Sequence, residues 1–421
     1  MVVERSGVAI VIRGGTLLDG TGRDPVPGSA VVVEGDSITA VGRESEVSSP
    51  SDARILDAEG KTVLPGFIDC HAHLIAYKYE LEKRLTTPAS LTVLETARNL
   101  QATLEAGVTT VRDAGGVDAG IKMAVEEGVI PGPRLLVSIV ILAQTGALWD
   151  LYMGSGAKLD TTGMTGRLYH YCGGVENLRQ LVRELVHAGA DVIDISTTGN
   201  IHAESGRTPV PRFTLEEIET VVYEAHAAGR RVMVHLDGGP GVGNAIRAGV
   251  DSIDHPFYLS DGDISLMLDR GTFLVPTFAC NYSIVKVAEA DPTAGIHEEA
   301  VEGARRVMAD HVDGFRRAAE AGVKIAMGSD SFGRFQGENL VELELMVRAG
   351  FSPMQAIVAG TGSAAECLAI EDRLGTLAVG KAADILVVDG DPLADIEVLQ
   401  DRENLALIMK EGKIFKSLLA A

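Results

Sequence analysis

Between about residues 65 and 368 the chain alternates short apolar runs with amphipathic stretches of helical length, and few architectures accept that pattern. Strand candidates are 67–70, 108–112, 134–138, 191–195, 231–235, 250–254, 272–276 and 323–327. Leu91–Ala106, Val175–Ala188, Thr214–Ala228 and Glu298–Ala321 carry apolar residues three and four apart, the spacing of a helix with one buried face. Several of these helices run into a glycine just before the next strand, as at Gly107 and Gly322, where a C-terminal cap needs φ > 0. Eight strands alternating with helices over about 300 residues predict an α/β fold of the TIM type, a (β/α)8 barrel. A doubly wound open sheet is the alternative, but no glycine-rich dinucleotide fingerprint follows any strand.

The two ends read differently. Val8–Ile12, Ala30–Val33 and Ser37–Val41 are β-branched runs closed by glycine or Gly-Asp, and the same signature returns at Ile385–Val388, Leu405–Met409 and Lys413–Phe415. The expected organisation is therefore a small β-sandwich made from both termini (1–64 and 369–421) around a barrel domain (65–368).

Several function classes fall away on composition. The formal net charge of −22 disfavours nucleic acid and anionic membranes as partners. No run of 18 or more apolar residues predicts a membrane span, and the N-terminus shows no signal-peptide pattern. Cys70, Cys172, Cys280 and Cys367 are scattered and form no CxxC pair, which suits a reduced, cytoplasmic chain. Gly238–Gly243 lacks the Lys-Ser/Thr ending of a phosphate loop and reads as a strand-to-helix turn. Arg112-Asp113 reads as a structural ion pair.

Chemistry concentrates at the strand ends. His71 and His73 stand two apart at the end of the first strand, so both imidazoles can aim at one point. Asp194 sits between isoleucines in the fourth strand; His235 and His255 end the fifth and sixth; Asp330 follows the eighth. Each has an ordinary reading alone: a hydrogen-bonded core histidine, a turn cap, a buried ion-pair partner. Together they place four histidines and two carboxylates at the face where barrel enzymes keep their chemistry, and a divalent cation removes the cost of burying the acids.

The segments PGFIDCHAHL (65–74), GVTTVRDAGG (107–116), GPRLLVS (132–138), GADVIDI (189–195), VHLDG (234–238), AGVDSIDHP (248–256), GSDS (328–331) and GTLAVGKAADILVVDGDPL (375–393) resemble, in order, those of the amidohydrolase superfamily, in its prolidase-like and imidazolonepropionase-like branch. The resemblance implies metal-dependent hydrolysis of an amide-type C–N bond by an activated water, with one or two divalent ions, zinc expected, and a homo-oligomer. His71, His73 and Asp330 would hold the more buried ion and His235 and His255 the second. Asp330 would also take a proton from the attacking water and pass it to the leaving nitrogen.

Two departures matter. The branch usually has a carboxylated lysine where this chain has Asp194, which leaves Asp194 as the candidate ligand and the metal count open. The loop after the third strand carries Gly146-Ala147-Leu148-Trp149-Asp150 in place of a Gly-Gly-His-Gly-Asp run. Trp149, Tyr152, Tyr169 and His170 in this insertion, with Arg207 and Arg212 after the fourth strand, are the candidate substrate-binding residues. A dipeptide or N-acyl amino acid is the first expected substrate, and small aryl amides, ureas or carbamates the second. A non-catalytic ligand-binding barrel is the reading from another class.

Overall fold

The computed structural model describes residues 8–76, 81–145, 155–156, 163–199, 210–291, 296 and 298–419. Among the described residues, nine central strands are all parallel. Phe67–Ala72, Val108–Asp113 and Arg134–Val137 form one sheet. A second sheet runs in the order Tyr169–Tyr171, Ile141–Ala143, Val192–Ser196, Arg231–His235, Ser252–Asp254, Phe273–Val275. Asp191 N donates to Val137 O at 2.8 Å, which ties the second sheet to the first.

The run 323–327, expected as an eighth strand, forms no regular strand. It makes the single parallel bridge Leu274–Ile325, and Ala72–Ser331 follows just beyond it. Its N–H groups go to alternating neighbours: Ala326 to Leu274 O, Met327 to Ala359 O at a helix end. No two consecutive pairs form with either neighbour, so no ladder develops. The segment nevertheless lies where expected, between the strands of Leu274 and His71: Cys70 N donates to Met327 O and Asp330 N to His71 O.

The helices match the periodicity read from the sequence: Ala89–Glu105, Val175–His187, Leu215–Ala227 and Glu298–Ala321. Leu178, Leu181, Val182 and Leu185 form the buried stripe of one of them. Thr214 caps the next, in a reciprocal pair with Glu217. Gly107 and Gly322 follow two of these helices at φ +85° and +88°. These helices and the parallel sheets share one large apolar core.

Strands from both chain ends meet in one antiparallel-rich sheet: Lys413–Ser417, Leu405–Lys410, Ile385–Val388, Thr62–Pro65, Thr16–Leu17. A four-stranded sheet of N-terminal strands packs with it around a second core. Ile385–Val388 explains its own unbroken hydrophobicity: Ile385 and Val387 enter this second core, while Leu386 and Val388 enter the large one. Alternation along a strand serves both cores at once. Among the described residues no helix is long and apolar enough to cross a membrane.

Candidate metal centre

Four imidazoles crowd the ends of three central strands. His71 lies 4.5 Å from His235 and 4.3 Å from His255, centroid to centroid, and His73 lies 5.4 Å from His71. Two groups bring their ligand atoms together: His71, His235 and His255, and His71, His73 and Asp330. His71 belongs to both. The structure thus draws His71 toward His235 and His255 as closely as toward His73.

The orientation of three rings follows from where each spends Nδ1. His71 Nδ1 bonds Asp254 Oδ2 at 2.7 Å. His235 Nδ1 lies 3.0 and 2.9 Å from the two oxygens of Asp194, with Oδ1 in hydrogen-bonding geometry. His255 Nδ1 meets Thr277 Oγ1 at 2.6 Å. The Thr277 hydroxyl donates its own proton to Pro276 O, so it accepts from His255. Such outer partners fix the tautomer that leaves Nε2 with a free lone pair. His71 Nε2, His73 Nδ1 and Asp194 Oδ2 are buried without any hydrogen-bond partner. His71 Nε2, which faces Asp330 Oδ1, is an orphaned buried nitrogen that a divalent cation there would satisfy, whereas Asp194 belongs to neither group of converging ligand atoms and lies against His235 Nδ1.

Asp330 faces the same centre. Its Oδ1 is 3.3 Å from His73 Nε2 and 3.7 Å from His71 Nε2, and its Oδ2 is 3.9 Å from His255 Nδ1. Burial opposes its ionisation, but the imidazoles of His255, His73 and His71 hold its carboxyl below the usual carboxylate range. Burial, then the neighbouring rings, push His71 and His255 well below the ordinary histidine value. His73 moves the other way, because Asp330 offsets its burial. His255, Thr277 and Asp330 hold φ of +64°, +59° and +50°, strained for side chains of this size.

A glycine permits the approach. A Cβ on Gly328 would lie 2.4 Å from Val275 Cγ1 and 2.8 Å from His71 Cβ, so only glycine lets the Asp330 segment pass this close to the His71 strand.

The chain matches the amidohydrolase family over residues 62–415. The chain belongs to that family. This amidohydrolase is 29% identical to ochratoxinase of Aspergillus niger, an alignment covering 96% of this chain and 86% of that one. It is 24% identical to imidazolonepropionase of Symbiobacterium thermophilum, over 98% and 96%. A solved prolidase complexed with N-methylphosphonate-L-proline superposes with a TM-score of 0.90 at 32% identity, over 97% of this chain and all of that one. The protein is accordingly a metal-dependent hydrolase acting on amide-type C–N bonds, rather than a non-catalytic binding protein.

Sequence reading missed the supports of this amidohydrolase's site. Arg112 does not pair with Asp113: its guanidinium bonds Asp254 Oδ2 at 2.8 Å, Ser252 Oγ at 3.0 Å and the Cys70 carbonyl. Asp113 instead accepts from the backbone of Leu74, Gly115 and Val117. Ser252 and Asp254, both polar and two apart beside Ile253, were the available signal for a shared inward side. Asp69 accepts from Ser329 N at 3.0 Å and Asn339 Nδ2 at 2.8 Å, and so holds the Asp330 turn against the first strand.

The substrate candidates fare unevenly. Trp149, Tyr152 and Arg207 lie outside the described residues. Tyr169 and His170 are half-buried on the strand Tyr169–Tyr171, where Tyr169 and Tyr171 stack at 6.2 Å and His170 takes the opposite side. Arg212 is half-buried, and its N–H donates to Thr197 O, just past the Asp194 strand.

Proposed function

We propose that this amidohydrolase cleaves N-acyl amino acids or dipeptides with one or two divalent ions, zinc first among them. The ions would be held by His71, His73, His235, His255 and Asp330. What carries the reading is that His71, His235 and His255 bring one ligand atom each within 4.8 Å of one another, as do His71, His73 and Asp330, while Asp254, Asp194 and Thr277 hold the Nδ1 of three of these rings. Asp194 would steady His235 through Nδ1 and is the candidate for a further ligand, in the position the family usually gives to a longer carboxylated lysine.

An ion bound there would acidify a water and polarise the scissile carbonyl. Asp330, ionised and within reach of His73 and His71, accepts the proton of the attacking water and delivers it to the leaving nitrogen. The supporting network keeps Asp330 in register: Asp69 anchors its turn, and its own N–H is bonded to His71 O.

Closure of the two parallel sheets through 323–331 into an eight-membered barrel, with the sandwich split at 64/65 and 368/369, is the architecture we infer around this site. A cytoplasmic homo-oligomer is inferred with it. Four free cysteines, three of them buried, accord with a reducing compartment, and light scattering tests the assembly.

The deciding experiment is a panel of N-acyl amino acids, dipeptides, aryl amides, ureas and carbamates on protein reconstituted with zinc, cobalt or manganese. Asp330→Asn should keep the fold and lose roughly 10²–10⁴-fold in kcat. Near-normal turnover in that variant refutes the role given to Asp330, and turnover confined to ureas or carbamates refutes the substrate class.

A further inference from the structure

The helix Phe278–Ala290 begins without an ordinary cap. The residue before it, Thr277, stands at φ +59° and ψ +42°, in the left-handed region, and its side chain makes no bond to the helix start. A capping threonine is normally extended and gives its hydroxyl oxygen to an N–H of the first turn. Here the hydroxyl is committed elsewhere, to Pro276 O and to His255 Nδ1, each at 2.6 Å. The helix donors go instead to Glu342, on the helix Val341–Arg348: Oε1 accepts from Phe278 N at 3.0 Å and Oε2 from Ala279 N at 2.7 Å. Thr277 and Glu342 are both fully buried. Burial pushes the Glu342 carboxyl up to about 8, against the pull of those two donors. A β-branched residue keeps a left-handed backbone only where its surroundings hold it there, and the bonds to Glu342 fix the two residues that follow Thr277. Asn339, whose carbonyl accepts from Glu342 N, reaches the other way, to Asp69 Oδ2 at 2.8 Å.

We propose that Glu342 is a positioning residue for His255: by holding Phe278 and Ala279 it keeps Thr277 Oγ1 in place as the acceptor that fixes the imidazole with Nδ1 protonated and Nε2 free. The inference rests on the reading of His255 as a metal ligand. His255 belongs to the group with His71 and His235 and not to the group with His73 and Asp330. Glu342 therefore governs the affinity of the first group for a divalent ion, from a helix that supplies no residue to either group.

Two measurements on the full chain test it. The first needs no metal and no turnover: proton–nitrogen correlation spectra of the histidine rings in metal-free protein at about pH 9, above the ordinary histidine range, with His255 assigned by its absence from His255→Asn. The wild type should show His255 protonated at Nδ1. Glu342→Gln, whose amide oxygen has to serve two N–H groups, should show a mixture of both tautomers. The second is zinc binding by equilibrium dialysis. Glu342→Gln and Thr277→Val should each weaken it roughly 10–100-fold, while Thr277→Ser, which keeps the hydroxyl, should stay within about twofold of the wild type. The double variant Glu342→Gln/Thr277→Val should lose no more than Thr277→Val alone, because one residue acts through the other. Losses that multiply in the double variant overturn the proposal, as does a Glu342→Gln protein with the tautomer and zinc affinity of the wild type. Should Glu342→Gln not fold, Glu342→Asp, which keeps the charge and shortens the reach, is read in the same way. A tautomer that responds to Glu342 in a protein that binds no zinc upholds the positioning and sinks the metal centre of the proposed function instead.

Discussion

His311 offers a test of how the structure sets acid stability. It lies on the helix Glu298–Ala321, 2% exposed, between Phe278 at 4.4 Å and Phe257 at 5.0 Å, ring to ring. Its Nε2 has no partner. Burial drives its pKa down from 6.5 to about 3, against the opposing hydrogen bond to the Pro276 carbonyl. Below pH 6.5 the unfolded chain binds a proton here that the folded chain refuses, so stability falls as pH falls, down to about 3. Between pH 8 and pH 5.5 this one group costs about 1.4 kcal/mol. At pH 5.5 the chain, with a formal charge of −22 at pH 7, remains anionic. At roughly 2.1 cal/mol/K per residue of unfolding entropy over 421 residues, the loss is worth about 1.5 °C in Tm. His311→Gln keeps a donor for Pro276 and removes the titration. Scanning calorimetry of both proteins at the two pH values should show the wild type falling by about 1.5 °C more than the variant. Titration of the active-site histidines is common to both and cancels. Equal falls would mean that His311 protonates freely in the folded protein, and the burial argument would be wrong.

Other consequences can be checked in the same preparations. Asp254→Asn removes the charge between Arg112 and His71, so it should cost about 3–5 kcal/mol of stability and weaken metal binding roughly 10–100-fold, read by urea titration and metal content. Gly328→Ala forces a Cβ into Val275 and His71 and should destabilise by about 1–3 kcal/mol while lowering turnover, seen by thermal melting beside kinetics. His226 is raised above 6.5 by its hydrogen bond to Asp251. That stabilisation is complete below pH 6.5 and disappears as pH rises through the folded value. His226→Asn should therefore lower Tm at pH 6 and leave it unchanged at pH 9. A uniform loss at both values would show that the ring matters only by packing.

The sequence by itself determined the parts of this amidohydrolase that depend on local periodicity. Helices such as Val175–His187 announce themselves by a stripe of leucines and valines, and His71 and His73 by sitting two apart at a strand end. His235, His255 and Asp330 were legible because a charged or imidazole side chain ending an apolar run needs a reason to be there, and Asp194, buried between isoleucines, meets His235 Nδ1 rather than the converging donors. The ordered motifs carried the family. Tertiary structure alone decided how those side chains are aimed. His71 turns on Asp254, 183 residues away, and Asp69 holds Asn339, 270 residues away. His255 depends on a threonine in left-handed backbone on another strand end. Such partners leave no periodic trace, because they are chosen by which strand ends become neighbours. The run 323–327 makes the same point in reverse: its β-branched, apolar composition promises a strand, yet its N–H groups divide among neighbours and no ladder forms. Composition fixes what a segment can become, and the geometry of its neighbours decides which hydrogen bonds it makes.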